Sequence, residues 1–390
     1  MPMIPEAESA LTEIKEDPIS IGFDAKRAFF NNSGLGNYSR NLLVSLVNKH
    51  PENAYFLFTP KIGNRITLEN EEYFNLIEPQ QNFFKLFGSL WRFKYIDREI
   101  RQSRLQIYHG LSQELPVGIE NTGVKSVVTV HDLIFIRFPE FYHRLDAKIY
   151  YRKLAHACHV SDHIVAISQQ TKQDLVEFLK ISADKISVIY QGCNSNFWKK
   201  SYNLNHEVRE VYNLPERYLL YVGTIEERKN LLGLVKALDI KKINIPLVVI
   251  GRKTENYFPK VQKYISSHNL GNIIFPGHIR NQDLPEIYQN AECFIYPSLF
   301  EGFGIPVLEA LVSGVPVITS KGSCFTEAGG PGSLYVDPHS PEEIGDAILS
   351  VLNDKTLRDK MVTTGKMYAN NFKDDNIADA YMNIYHSLLK

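Results

Sequence analysis

Two glutamates stand eight positions apart in a glycine-rich stretch, Glu301 and Glu309 in "LFEGFGIPVLEALVSGVPVIT". Gly302 and Gly304 let the backbone bend and let a ligand approach it closely. A helix that begins near Pro306 would point its N-terminal N–H groups into the same space, which favours an anion. Carboxylates beside an anion are good acceptors for sugar hydroxyls. The stretch therefore predicts a site for a phosphorylated sugar ligand, unless the two glutamates are surface acids on either side of a tight turn.

Two adjacent cations, Arg228 and Lys229, precede a predicted helix in "YLLYVGTIEERKNLLGLVKAL". Cations at a helix start oppose the helix dipole, and an anion bound beside them would offset that cost. We therefore predict anion binding here; two solvated surface charges are the alternative.

Gly34 and Gly36 follow the first predicted strand and open a helix in "FFNNSGLGNYSRNLL". The spacing is close to the dinucleotide fingerprint, but Ser39 stands where its last glycine would be, so a dehydrogenase is not favoured. A glycine loop at a helix N-terminus still suits a phosphate or an acceptor.

His131 and Asp132 come directly after an apolar strand in "VTVHDLIFIRFPEFY". A histidine at the carboxyl end of a strand could be a general base, a hydrogen-bond donor to a sugar, or a structural capping residue. The pair alone leaves these three alternatives open.

Three motifs are missing, and each absence excludes a class of site. The sequence has no Asp-x-Asp pair for a metal–diphosphate, no P-loop, and no G-x-S-x-G nucleophile motif. P-loop nucleotidases and α/β-hydrolases are therefore not favoured.

Composition sets the scale of the fold. The chain has 390 residues, of which 44% are hydrophobic, and a formal net charge of −1. The length predicts two domains, and the charge gives no global attraction to nucleic acid. Four scattered cysteines indicate neither a zinc site nor a disulfide framework and suit a reducing compartment. Residues 1–18 are acidic without a long apolar run, so we expect a tail rather than a signal or transit peptide, and no stretch is apolar enough to span a membrane.

Short apolar runs alternate with amphipathic helical stretches, which is typical of βα units and parallel sheets. In the first half we predict strands at "SIGFDA", "AYFLFT", "LQIYHG", "KSVVTVHD", "HIVAIS" and "KISVIY". After the polar connection "QGCNSNFWKKSYNLNHEVREVYNLPER" we predict strands at "YLLYVGT", "IPLVVIG", "NIIFPG", "CFIYPS" and "VPVITS", and three helices that close the chain. The predicted class is α/β, with two Rossmann-like doubly wound domains that face a central cleft.

In their order, these motifs resemble the family-4 retaining glycosyltransferases of the GT-B fold, and the resemblance covers nearly the whole chain. The most specific piece is "EGFGIPVLE", which matches the family's E-x7-E signature. "VGTIEERKN", "PGHIRNQDLPEIYQNAECFIYPS" and "GVPVITS" fall in the expected order and spacing. The resemblance implies an acceptor-binding domain at 19–200, a nucleotide-sugar-binding domain at 201–373, and a last helix at 374–390 that crosses back to the first domain.

Roles follow from the matching positions as the resemblance implies them. Arg228 and Lys229 would neutralise the leaving diphosphate, and Glu309 would bind the ribose hydroxyls. Glu301 would hold the donor hexose, and His131 would contact that hexose near the reacting carbon. The implied catalytic residues are these four: His131, Arg228, Lys229 and Glu301. The other implied donor-binding residues are Gly34, Gly36, Gly223, Thr224, His278, Ile279, Gly302, Phe303, Gly304, Ile305, Val307 and Leu308.

One position departs from the family, because Thr224 follows Gly223 where many members have an arginine. The diphosphate clamp is therefore expected to depend more on Arg228 and Lys229. Cations can stabilise the leaving charge as a metal does elsewhere, so we expect neither a metal nor another cofactor. We do not assign Glu301 as the nucleophile, since in such enzymes the acceptor is thought to attack from the leaving-group face with a diphosphate oxygen as base.

The donor and acceptor follow from the same resemblance. "GTIEERKN" and "HDLIFIRFPEFY" are most similar to bacterial mannosyltransferases of O-antigen and exopolysaccharide assembly, which implies GDP-mannose as donor, with a UDP-sugar as the alternative. The acceptor would be a glycan on a polyprenyl-diphosphate carrier. Two other hypotheses remain open: a non-catalytic sugar-nucleotide-binding protein, and another enzyme class on this fold, such as a nucleotide-sugar epimerase.

Residues 85–104, "KLFGSLWRFKYIDREIRQSR", could form a basic amphipathic helix with Trp91 beside its apolar face. Such a helix suits an anionic membrane surface. A helix packed on its own domain with a solvated basic face is the alternative. The expected location is the cytoplasm. If the helix binds a membrane surface, the protein would also contact the inner face of the cytoplasmic membrane.

Overall fold

The computed structural model describes residues 17–31, 34–61, 66–81, 83–84, 87–199 and 206–390. Two predictions fall on other residues. All but the last two residues of the predicted tail, and the predicted domain boundary between residues 200 and 201, lie outside the described part of the chain.

The first sheet has seven parallel strands in the order β3-β2-β1-β4-β5-β6-β7. Its strands are β1 Ser20–Asp24, β2 Ala54–Phe58, β3 Phe74–Ile77, β4 Ile107–Gly110, β5 Lys125–Val130, β6 His163–Ala166 and β7 Ile186–Val188. All six strands predicted for this half are confirmed. The one that was not predicted, β3, lies at the edge of the sheet and has only four residues.

The second sheet has six parallel strands in the order β10-β9-β8-β11-β12-β13. Its strands are β8 Leu219–Val222, β9 Leu247–Ile250, β10 Ile273–Ile274, β11 Cys293–Tyr296, β12 Val317–Ser320 and β13 Leu334–Val336. The five predicted strands are confirmed, and the unpredicted β13 is again a short edge strand. Two doubly wound parallel sheets make this the α/β architecture that the sequence predicts.

Helices connect the strands, and several begin at side chains that cap them. The α-helices of the described residues are α1 Lys26–Phe30, α2 Gly34–Lys49, α3 Gly88–Leu90, α4 Asp97–Gln102, α5 Ile134–Arg137, α6 Arg144–Val160, α7 Gln169–Leu179, α8 His206–Val211, α9 Leu231–Ile240, α10 Phe258–Ser267, α11 Leu284–Gln289, α12 Ile305–Ser313, α13 Phe325–Gly329, α14 Pro341–Asn353, α15 Lys355–Ala369 and α16 Asp374–Leu389. Ser168, Ser340 and Asp354 each accept a hydrogen bond from a backbone N–H in the first turn of α7, α14 and α15. Such caps satisfy N–H groups that have no partner inside the helix.

The last helix, α16, packs against α2 of the first domain and shares its core. Two tyrosines of α16 also reach buried polar partners there. The Tyr381 hydroxyl lies 2.6 Å from that of Tyr38, and the Tyr385 hydroxyl lies 2.7 Å from Nδ1 of His109. Buried polar groups need such partners, so these bonds fix α16 on the first domain.

The segment predicted as one basic amphipathic helix is divided in the structure. Lys85 and Leu86 lie outside the described residues, and the rest forms α3, a π-helical turn at Trp91–Tyr95, and α4. The indole of Trp91 is buried. Arg92 is also buried, where Nη1 bonds Asp24 at 2.9 Å and Nη2 bonds Glu114. The prediction of one continuous helix is therefore wrong, because the segment is divided into three short helical elements. Trp91 and Arg92 are buried inside the first domain and do not face solvent.

Candidate active site

A cleft of about 910 Å³ lies between the two domains and is lined by residues of both. In the second sheet it lies at the carboxyl ends of β8 and β11, between which the strand order reverses, and in the first sheet it meets His131 and Ile167, which directly follow β5 and β6. Doubly wound sheets bind ligands at this point, outside the carboxyl ends of the strands. The residues predicted from the sequence are placed around this cleft as follows.

The loop from β11 to α12 brings the glycine-rich stretch to the cleft wall. Gly304 adopts a φ of 108°, which only glycine adopts readily, and α12 starts at the next residue. A Cβ at Gly302 would lie 2.1 Å from the carbonyl oxygen of His131 in the other domain. Gly302 thus allows the domains to touch. The predicted strand, turn and helix are confirmed, although the strand ends two residues earlier and the helix begins one residue earlier than predicted.

Glu301 is held at the base of the loop by four side chains. Its Oε2 lies 2.8 Å from Nη1 of Arg228, and its Oε1 lies 3.4 Å from Nζ of Lys229. The hydroxyls of Tyr296 and Ser298 donate to Oε1 at 2.8 and 3.0 Å. Burial would raise the pKa of Glu301, but the charge of Arg228 and then of Lys229 outweighs it and lowers this pKa to about 2. Glu301 is therefore a carboxylate throughout the physiological range.

Arg228 and Lys229 lie in a 3-10 turn, Glu227–Lys229, directly before α9. Besides Glu301, Arg228 bonds Glu226 at 2.6 Å and the carbonyl of Phe300. Although burial opposes it, the nearby carboxylates Glu301 and Glu226 raise the pKa of Arg228. Lys229 lines the cleft and donates to the hydroxyl of Tyr296 at 2.7 Å. Arg228 is thus paired with two carboxylates and Lys229 with one, and Arg228 is not among the residues that line the cleft. A bound diphosphate would have to share both cations with Glu301.

Glu309 lies in the first turns of α12 and also lines the cleft. Its Oε2 accepts a hydrogen bond of 3.0 Å from the hydroxyl of Tyr288. Burial raises the pKa of Glu309 to about 7, and the Tyr288 bond and the charge of Lys229 reduce that shift only in part. Glu309 and Glu301 therefore have opposite electrostatic environments, one near neutrality and one firmly ionised.

His131 has a protein partner at each ring nitrogen. Nε2 lies 2.9 Å from the carbonyl oxygen of Leu111, and Nδ1 lies 3.0 Å from Nε2 of Gln191. The ring meets that of Tyr38 edge-on, with centroids 4.6 Å apart. Burial lowers the pKa of His131 to about 4, so Nε2 carries the proton and Nδ1 accepts from Gln191. This arrangement positions the ring and disfavours the general-base alternative; its contact with a hexose stays a prediction.

Asp132, the neighbour of His131, faces the same cleft. Its Oδ1 accepts a hydrogen bond of 3.1 Å from the N–H of Ile134. Burial raises the pKa of Asp132, against the opposing effects of that bond and of Arg228.

The two glycines that open α2 differ in their surroundings. Gly34 lines the cleft, and a Cβ there would meet nothing within 4 Å. A Cβ at Gly36 would lie 1.8 Å from the carbonyl oxygen of Asn31. Gly36 is thus required by close packing, whereas the cleft surface comes from Gly34, Leu35 and Asn37.

The remaining predicted donor-binding residues belong to the second domain and divide in two. Lining the cleft are Gly223, Thr224, His278, Ile279, Phe303 and Ile305. Val307 and Leu308 do not line it, because their side chains are fully buried in the core of that domain. Their backbone N–H groups both donate to the carbonyl oxygen of Gly304, at 2.9 and 3.3 Å.

Among the described residues, no three histidine, cysteine or carboxylate side chains lie together as a metal site would require.

Comparison with known proteins agrees with this geometry. Residues 33–197 match the family described as Glycosyltransferase Family 4, and residues 205–367 match Glycosyl transferases group 1. The O-antigen chain mannosyltransferase B of Escherichia coli is 30% identical over 295 residues, which cover 74% of this chain and 76% of that protein. The chain is a family-4 glycosyltransferase.

One further sequence relative and one solved structure extend the comparison. The serotype-specific mannosyltransferase WbdA of Escherichia coli is 26% identical over 264 residues, and the match spans 64% of this chain but only 32% of that longer protein. The crystal structure of HepE from Anabaena in complex with UDP superposes with a TM-score of 0.73 at 16% identity, over 95% of this chain and all of that one. This likeness confirms the GT-B fold of the glycosyltransferase.

Two residues of the glycosyltransferase site were not predicted from the sequence. Tyr296 bonds both Lys229 and Glu301, and Gln191 bonds His131. Tyr296 lies within the predicted strand "CFIYPS" and ends the observed β11, and Gln191 begins the polar connection between the domains. The signal available for Tyr296 was its position near the carboxyl end of a predicted strand, where ligands of such sheets bind. Nothing in the sequence links Gln191 to His131, a histidine 60 residues away.

We predict that Gln191→Leu lowers kcat by about tenfold and leaves the affinity for the nucleotide nearly unchanged. A buried acceptor that loses its partner costs roughly 1–3 kcal/mol, and His131 Nδ1 would be that acceptor. The ¹⁵N shifts of His131 should report a loss of the single Nε2–H tautomer, while kinetics give kcat. Gln80→Leu, on an exposed glutamine, is the control. An unchanged tautomer and an unchanged kcat would show that Gln191 does not position the ring.

Proposed function

We propose that this glycosyltransferase transfers mannose from GDP-mannose to a glycan acceptor carried on a lipid diphosphate, in cell-surface polysaccharide synthesis. The observation that carries the proposal is that Lys229, a cation for a diphosphate, and Glu309, a carboxylate for ribose hydroxyls, line the same cleft. Arg228 adds a second cation beside it, paired with Glu301, which also lines the cleft. Lys229 lies in the turn before α9 and Glu309 lies in α12, both in the second domain. The choice of mannose rests on the 30% identity to an O-antigen mannosyltransferase.

In the proposed reaction, the bond between C1 of the hexose and the diphosphate oxygen breaks as the acceptor oxygen attacks C1. The leaving diphosphate gains negative charge, which Arg228 and Lys229 would stabilise in place of a metal ion. Preorganised donors of this kind are usually the largest single catalytic contribution. The acceptor's proton would pass to the leaving diphosphate, with retention at C1, because Glu301 is held by two cations and two hydroxyls and is poorly placed as a nucleophile.

A thermal-shift and calorimetric screen of GDP-mannose, UDP-glucose, UDP-N-acetylglucosamine and ADP-glucose tests the donor. We expect GDP-mannose to stabilise the protein most, by about 2.7 kcal/mol at 100 times its dissociation constant. Transfer in the presence of EDTA and the anomeric coupling of the product test metal independence and retention. Preferential stabilisation by a UDP-sugar would replace the mannose donor with the UDP-sugar alternative, and no stabilisation by any donor would contradict the function.

We further propose peripheral contact with an anionic membrane through the first domain. Aromatic and aliphatic side chains are exposed on two adjoining segments: Phe83, Phe87, Leu90, Tyr95, Leu145, Ile149 and Tyr151. Phe93 joins the segments, since its ring lies 6.3 Å from that of His156 in α6. Lys94, Arg98, Lys148 and Arg152 are exposed around them. No helix within the described residues has the length and apolar character to cross a bilayer.

This proposal predicts that Leu145→Glu/Ile149→Glu protein binds anionic vesicles at least fivefold more weakly than wild type in a pelleting assay. Burial of two apolar side chains in the lipid interface would be lost and two like charges added. Met367→Glu, at an apolar residue that is 70% exposed in the second domain, should bind as wild type does. Equal pelleting of all three proteins, or no salt-sensitive binding of wild type, would contradict the membrane contact.

A further inference from the structure

A second cavity, of about 370 Å³, adjoins the donor cleft at the junction of the two domains. Its walls come from the first two turns of α2, from the connection that follows β7, and from residues 280–284 with the start of α12. Gln191, Asn281 and Glu309 line both cavities, so the two spaces are continuous. The volume is in the range of small-molecule sites, about 300–1,000 Å³.

The chemistry of this cavity differs from that of the donor cleft. Side-chain amides from all three walls line it: Asn37, Asn41, Asn194, Asn196, Asn281 and Gln282. Each amide offers two donors and an acceptor without charge. Asn37 and Asn41 are four residues apart on α2 and therefore share one face of that helix.

The charged residues of the cavity already have partners. Arg280 lies 2.6 Å from Asp283, and Glu309 accepts from Tyr288. No lysine is among the described residues that line the space. The proposed phosphate site is in the donor cleft, which Lys229 lines, so a neutral ligand suits this cavity better than a charged one.

A neutral ligand that meets amides on opposite walls must have polar groups in several directions. A sugar ring has hydroxyls around its whole edge, whereas a nucleobase needs apolar contacts on both faces. Seven amide residues line the cavity against four with apolar or aromatic side chains, Tyr38, Phe197, Leu284 and Ile305. Phe197 is 5% exposed and packs on Tyr288, so it offers one aromatic face. This distribution fits a sugar.

We propose that this amide-lined cavity binds a sugar residue of the acceptor glycan, next to the residue that receives the transferred hexose. The inference rests on the proposed function, since it assumes a glycan acceptor. It gives the enzyme a way to distinguish a growing chain from a single sugar. The cavity also needs both domains, because α2 and residues 280–284 belong to different ones.

Asn41 is the best residue for a test, since it lines this cavity and is not among the lining residues of the donor cleft. Asn41→Leu keeps the side chain's size and is compatible with a helix. Asn48→Leu is the matched control, because Asn48 lies on the same helix, is exposed, and bonds Asn70 on the surface.

The first measurement is direct binding by saturation-transfer NMR, with methyl α-D-mannoside and α-linked mannobiose added to protein saturated with GDP. We expect mannobiose to bind wild type and Asn48→Leu at least tenfold more tightly than the monosaccharide does. Asn41→Leu should lose this difference while its dissociation constant for GDP stays within twofold. The proposal is overturned if Asn41→Leu still binds mannobiose more tightly than the monosaccharide, or if wild type shows no such difference. It is also overturned if the substitution raises the dissociation constant for GDP tenfold, which would assign the cavity to the nucleotide.

The second measurement is transfer to the same two sugars. We expect the ratio of kcat/KM for mannobiose over the monosaccharide to fall at least tenfold in Asn41→Leu. Failure of the proposed function is a separate result, since wild type would then transfer sugar from none of the four nucleotide donors, whatever the NMR binding shows.

Discussion

Arg228→Met is expected to lower kcat/KM for sugar transfer by about a hundred- to a thousandfold. Removing one preorganised donor to a developing charge costs roughly 2.7–4 kcal/mol, and Arg228 is one of the two cations that we propose stabilise the leaving diphosphate. The measurement is steady-state transfer from the donor that the screen identifies. A loss of less than threefold would contradict the role assigned to Arg228.

The same substitution also removes the closest partner of Glu301, 2.8 Å away. Breaking a buried ion pair on one side costs roughly 3–5 kcal/mol, because the remaining charge stays desolvated. We therefore expect a lower midpoint of thermal unfolding as well as lower activity, and these two effects must be separated.

The double variant Arg228→Met/Glu301→Gln separates them. It removes the orphan charge, so most of the lost stability should return, whereas transfer should stay at least a hundredfold below wild type. Arg358→Met is the matched control, because Arg358 also pairs with a glutamate, Glu292 at 3.2 Å, away from the cleft. Recovery of transfer in the double variant would mean that Arg228 acts only through stability.

The sequence was sufficient for the interior of both sheets, because strands buried on both faces appear as continuous apolar runs. "VVTV" and "LVVI" are examples, and their strands β5 and β9 are central or next to the centre. The edge strands β3 and β13 are three to four residues long and were missed. Apolar runs of this length also occur in loops, so the sequence pattern alone does not identify β3 and β13 as strands.

Long-range pairing explains what the sequence could not predict at the site. Arg92 belongs to the segment predicted as a basic amphipathic helix, but it is buried with Asp24, which lies 68 residues earlier. Likewise, the residue that fixes Lys229 is Tyr296, 67 residues later. Periodicity identifies which face of a helix is apolar, but it does not tell whether that face meets the protein core or a membrane. The buried Trp91 is the case in point.

The affinity for a sugar nucleotide is expected to increase about tenfold between pH 6 and pH 8. The pKa of Glu309 is raised to about 7 by burial, so its ionised fraction grows from roughly 10% to 90% over this range. Ribose hydroxyls donate hydrogen bonds, and a carboxylate accepts them better than a carboxylic acid does. A complete sugar nucleotide is the right probe for calorimetry, because its diphosphate is substituted at both ends and has no proton to lose in this range.

The free energy of unfolding should change in the opposite direction. In the unfolded chain Glu309 ionises near its ordinary pKa of about 4.3, whereas the folded protein keeps it protonated up to about 7. The folded state therefore binds more protons between these values, and its stability falls as the pH rises through that window and then levels off. Glu309→Gln should remove this part of the pH dependence.

Glu309→Gln should also bind the donor more weakly than wild type at pH 8 and with the same affinity at pH 6 and pH 8. Glu301 and His131 do not interfere, since the pKa of Glu301 is about 2 and that of His131 about 4. Asp132 also lines the cleft and burial raises its pKa, so Asp132→Asn is one control and its donor affinity should keep the pH dependence of wild type. His278 also lines the cleft, so His278→Gln is a further control. Its donor affinity should change with pH as that of wild type does. If the donor affinity of Glu309→Gln still changes with pH and that of His278→Gln does not, Glu309 is not the group responsible. Glu309 would then already be ionised when the ribose binds.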